Sequence, residues 1–180
     1  MDTALFTGRS IWTMLHGIVL GGGALLGLAA ALFALMTVRA PLVADAATDR
    51  QARYVGWLVT FVAVALWLTV IVGTYVSFPS YRVTPPEGLT DLARYPRSLL
   101  QSRAGTAWLH SFAMEIKEHV PWIAAMLATA VAFVGMRDQP RLLRDGPVRR
   151  IAFTLLAICF ALVSVVSLLG VFINKVAPLE

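Results

Sequence analysis

Four long apolar stretches, at about 11–36, 54–77, 107–136 and 151–173, dominate the sequence and leave only short connectors. Each can cross the roughly 30 Å of bilayer hydrocarbon, for which about 20 helical residues suffice. Backbone N–H and C=O groups find no water there, so a spanning segment must be a helix or a strand of a closed barrel. Barrel strands are about ten residues of alternating polarity, and the run from Trp57 to Ile71 has no such alternation. The expected fold is therefore all-α: one integral membrane domain over 1–180, a four-helix transmembrane bundle with an ordered outer-face loop at 78–106. With 58% of residues hydrophobic and only 14% charged, a water-soluble domain is excluded.

The first stretch reads as a retained helix. It is too long for a signal peptide, has one flanking cation, Arg9, and lacks a small-residue cleavage site. The single cysteine, Cys159, lies inside the fourth stretch, which rules out an intrachain disulfide and a cysteine-based metal cluster. A net charge of +5 suits anionic headgroups, so the bilayer is an expected partner and nucleic acid is not.

Loops one and three carry eight cations (Arg39, Arg50, Arg53, Arg137, Arg141, Arg144, Arg149, Arg150), against six on the other side (Arg9, Arg82, Arg94, Arg97, Arg103, Lys175). The positive-inside rule then makes loops 37–53 and 137–150 cytoplasmic and puts both termini outside, in a multi-pass protein of the inner (plasma) membrane. A shift of 97 residues brings Arg53 onto Arg150, Gly73 onto Gly170, Tyr75 onto Phe172 and Val76 onto Ile173, with Arg39 one position off Arg137. Such a parallel repeat would make the chain two tandem helical hairpins.

Chemistry concentrates where the third stretch begins, at Trp108-Leu109-His110-Ser111-Phe112-Ala113-Met114-Glu115-Ile116-Lys117-Glu118-His119. A charge at bilayer depth costs about 2.5 to 3.5 kcal/mol on insertion scales, so this cluster calls for partners, water or a ligand. Glu115 and His119 are one helical turn apart, so the carboxylate can hold one ring nitrogen and free the other for a ligand. His110 and His119 fall on opposite sides of that helix, so a second helix must contribute to any shared site. His16 on the first helix is the candidate, with Gly23 and Gly27 on its face leaving bare backbone beside the imidazole.

A flat macrocycle would fit that strip. The leading expectation is a haem b-binding subunit passing electrons between a quinone and a partner redox protein, and any enzymatic role belongs to that quinone oxidoreductase chemistry. His16 and His119 are the expected ligands of the haem iron. His110 would be the substitute ligand or a quinone contact, Lys117 a haem propionate contact, and Glu115 and Glu118 would orient imidazole or accept quinol protons. No nucleotide loop, HExxH helix or GxSxG elbow points to stand-alone enzyme chemistry.

Plainer readings compete. Gly17 with Gly21 and Gly23 with Gly27 are GxxxG pairs that could serve helix packing alone. Pro121 could begin the spanning part, leaving 107–120 as an amphipathic segment in the headgroups. Trp12, Trp57, Trp67, Trp108 and Trp122 suit an interfacial aromatic belt. Two rival functions follow: a cofactor-free anchor or accessory subunit of a larger membrane complex or homo-oligomer, and a small proton- or metal-ion-coupled transporter.

Overall fold

The computed structural model describes residues 7–37 and 46–178, with side chains from 49 in the second segment. Among the described residues there is no strand, and the chain is a four-helix transmembrane-type bundle. The long helices are α1 (Gly8–Thr37), α2 (Asp49–Tyr81), α4 (Ala104–Arg137) and α6 (Gly146–Val176), each apolar and long enough to cross a membrane. Two short helices complete it: α3 (Pro96–Gln101) in the second loop and α5 (Gln139–Arg144) in the third. Arg39 lies outside the described residues, as do positions 38–45 of loop one.

The long helices have 30 to 34 residues, about 45–50 Å of rise, so they outrun the hydrocarbon and continue into the polar zone. Polar residues stop them. Thr7 Oγ1 accepts from the Ser10 amide at the start of α1, and Asp138 and Asp145 cap α5 and α6 in the same way. Pro121 does not break α4, which runs unbroken from Ala104 to Arg137. Pro121 has no N–H to donate to the Lys117 carbonyl one turn back, and its ring crowds that carbonyl, yet the helix continues through it.

Neighbours pack in the ring order α1, α2, α4, α6 and back to α1. Small residues permit the closest approach, between α2 and α4, where a Cβ on Gly56 would lie 2.5 Å from the Gly135 carbonyl oxygen. Leu28, Val59, Val62, Leu66 and Leu156, all at most 2% exposed, fill the interior. Leu26, Phe33, Met36 and Trp57 face outward and are more than half exposed, as lipid-facing residues are. Trp67 and Trp122 do not join the aromatic belt. They meet edge to face with centroids 5.7 Å apart, and Trp67 Nε1 donates to Thr129 Oγ1 at 2.9 Å.

At the end away from α5 a second, smaller core forms a cap. Tyr81, Leu100, Leu109, Met114 and Ile173 are its centre. Loop two folds down onto it because Pro96 starts α3 with Leu100 buried, and Thr106 Oγ1 donates to the Leu100 carbonyl. Gly88 supplies the positive φ of 79° in the turn closed by the Leu89 amide on the Pro86 carbonyl.

Candidate functional site

Between the two cores lies a layer where polar side chains enter the bundle. Gly73, Lys117 and Gly170 each stand about 20 residues, or about 30 Å of helix, from the arginines Arg53, Arg137 and Arg150 at the opposite end. That is one hydrocarbon thickness, so the layer sits at the membrane boundary under the cap. Three of the four long helices also carry a π-helical turn at this end: Leu15–Gly21 in α1, Gly73–Ser77 in α2 and Leu109–Met114 in α4. Such turns are uncommon and frequent at functional sites, because the extra residue bulges the backbone and redirects side chains.

His16 lies in the first π turn and its ring abuts the first residue of the second. A Cβ on Gly73 would come 2.6 Å from His16 Cε1, so only glycine leaves room for the imidazole in this position. His16 Nδ1 is buried with no hydrogen-bond partner, and the Thr69 backbone carbonyl is beside the ring. The Lys117 ammonium acts on the same ring through space and itself rests on α6, where a Cβ on Gly170 would be 3.1 Å from Nζ. Each hairpin thus sets a polar side chain of its first helix against a glycine of its second. Those glycines, Gly73 and Gly170, are the pair related by the 97-residue shift.

The other candidates form a separate group nearer the cap. Tyr81 Oη and His110 Nδ1 are 2.8 Å apart, and Arg97, Glu115 and Arg82 are the charges acting on His110. Glu118 is half-buried with Glu115, His119 and Arg82 around it. His119 is on the outside of α4 with its side chain 73% exposed; its Nδ1 is 2.8 Å from the Glu115 carbonyl oxygen and 3.7 Å from the Glu115 carboxylate.

Of the expected site residues, Lys117 is the one whose charge acts on His16, while His119 has its contacts with Glu115 and His110 with Tyr81. An intrabundle haem held by His16 and His119 needs both imidazoles to face one interior space, and His119 faces out. Nor is the strip beside His16 open along its length, since Gly27 packs under Val62 and Phe61 of α2, where a Cβ would meet their side chains at 3.0 to 3.4 Å. Gly23 has open space around it. Among the described residues, no group of three or more His, Cys, Asp or Glu side chains gathers as a metal site. An open groove of about 320 Å³ between α2 and α4 is lined by Thr60, Trp67, Thr129, Phe133 and smaller apolar residues, with no histidine or charge.

The two sides of the layer differ in polarity. Below it the buried core is apolar, and the hydroxyls of Thr60, Thr69 and Thr129 donate to the carbonyls of Gly56, Ala65 and Ala125 one turn back on their own helices. Above it polar groups continue to the cap. Sequence reasoning singled out His16 and Lys117 but did not assign Gly73, Gly170 or Tyr81 to the site. The repeat that aligned the two glycines was the available signal. No family model, curated protein or solved structure matches this chain.

Proposed function

We propose that the protein is a membrane-embedded subunit of a quinone-linked electron-transfer assembly, contributing a hydrogen-bonding site at its outer end. The observation that carries this reading is the half-buried His16, whose Nδ1 has no hydrogen-bond partner and whose ring feels the charge of the half-buried Lys117. Lysine offers donors only, whereas a neutral imidazole nitrogen can accept. A quinone carbonyl oxygen accepts from Lys117, and a quinol hydroxyl can accept from Lys117 while donating to His16. The headgroup of a lipid-soluble quinone reaches this depth from the bilayer. The charge bias of loops 37–53 and 137–150 supports an outer-face site, next to a cap on which a partner redox protein can dock.

The apolar core on the α5 side of the layer favours this reading over a transporter, which needs a polar route to both faces. Haem b is a second reading, favoured by His119. A ring whose Nδ1–H donates to the Glu115 carbonyl presents Nε2 as a ligand, the usual support of a metal-binding histidine. Because that nitrogen points out of the bundle, the second axial ligand would come from a partner or another copy. In both readings Glu115 and Glu118 line the way by which protons leave.

Two measurements on protein purified in mild detergent test the proposal. Solvent extraction and chromatography should recover a quinone from the wild type and much less from Lys117→Met or His16→Leu of equal fold content. Failure to retain or rebind any quinone would refute the site. Soret and α bands that sharpen with dithionite and vanish in His119→Ala would establish the haem reading; a featureless spectrum would remove it.

A further inference from the structure

Apart from His16 Nδ1, the buried side-chain nitrogens and oxygens left without a partner among the described residues are Arg9 Nε and Nη2, Arg97 Nε and Ser77 Oγ, and all stand at the cap end. Buried polar groups in native proteins are satisfied, so unmet groups in one place indicate something bound there. The segments that carry them are in contact. Residues 8–14 of α1 pack on the 73–77 turn of α2, and Arg9 Nη1 donates to the Arg94 carbonyl at 3.1 Å, three residues before Arg97. The ion pairs of the described residues are Glu115 with His119, Asp138 with Arg141 and Asp49 with Arg144, so neither Arg9 nor Arg97 has a carboxylate there.

The chemistry of the missing partner follows from the donor count. A guanidinium donates and never accepts, and the serine hydroxyl can donate as well, so the occupant must be rich in acceptors and negatively charged. Arg9 lies seven residues beyond His16, about 10 Å further out, which is headgroup depth. We infer that Arg9, Arg97 and Ser77 form a binding site for a phosphate group, carried by an anionic lipid or free in solution. The site is distinct from the His16–Lys117 layer and holds the first turn of α1 against loop two when filled.

The test uses full-length protein in nanodiscs of phosphatidylcholine alone or of equimolar phosphatidylcholine and phosphatidylglycerol, and separately in detergent with inorganic phosphate. The readout is the change in thermal midpoint on adding the anionic species, so a variant's own stability cancels. The wild type and Arg103→Gln, an exposed arginine of the same loop, should gain stability; Arg9→Gln with Arg97→Gln should lose the gain and bind about tenfold or more weakly. A gain with phosphatidylglycerol alone assigns a lipid headgroup, and a gain with both assigns the phosphate group as such. No gain in the wild type, or an equal gain in the double variant, overturns the proposal.

Discussion

A methyl group on Gly73 would sit 2.6 Å from Cε1 of His16, a ring wedged between helices, whereas one on Gly170 would sit 3.1 Å from Nζ of Lys117, the tip of a flexible chain. Gly73→Ala should therefore displace the imidazole and weaken quinone binding about tenfold, while Gly170→Ala is absorbed by a lysine rotamer and costs about twofold or less, as read by titration with a short-chain quinone. Tyr81→Phe removes the hydroxyl 2.8 Å from His110 Nδ1. It should lower stability by about 1 kcal/mol, measured by thermal unfolding. At this scale the sequence revealed which side chains are out of place in lipid, His16 and Lys117 above all, because each carries a cost that composition alone exposes. It did not reveal where they point. In water an amphipathic pattern marks the buried face of a helix, but in a membrane the lipid-facing and core-facing sides are both apolar, so nothing in the periodicity of α4 distinguished the exposed His119 from the inward Lys117.

Among the elements, α2 and α4 make the tightest contact, and the obstacle to adding atoms there is backbone. Gly56→Ala should destabilise the bundle by about 1 to 3 kcal/mol in a thermal melt, since its Cβ would meet the Gly135 carbonyl, which cannot swing aside. Gly17→Ala has no heavy atom within 4 Å of the new Cβ and should be close to neutral. That contrast separates the glycines by context, although both belong to small-residue patterns of the kind GxxxG describes. The existence of all four helices was legible because about 20 apolar residues admit no other spanning structure. Their ends and bulges were not. Each helix runs several residues past its apolar stretch, since charged residues at the interface are helix-compatible. The π turns at 15–21, 73–77 and 109–114 have no residue signature that apolar periodicity reads. Residue type and nearness to the ends of the apolar stretches suggest Trp67 and Trp122 as belt residues, yet they lie six and five residues from Gly73 and Lys117 on the bundle side, where the rings pack on each other and the Trp67 indole N–H donates to Thr129.

For the whole molecule, the charge asymmetry predicts sidedness. A cysteine at Ser102 in loop two should react with a membrane-impermeant maleimide added to intact cells, and one at Arg50 only after permeabilisation; the reverse pattern would invert the topology. An apolar core toward the α5 end, a polar layer beyond it and a cap at the other end make the bundle asymmetric in polarity, and that asymmetry is what joins the fold to the proposed chemistry. The direct measurement is the infrared redox difference spectrum of the purified protein loaded with a carbonyl-labelled quinone. A carbonyl band shifted down from its free position in the wild type and returned to it in Lys117→Met is the predicted result. A wild-type band at the free position, unchanged by the substitution, would contradict the account.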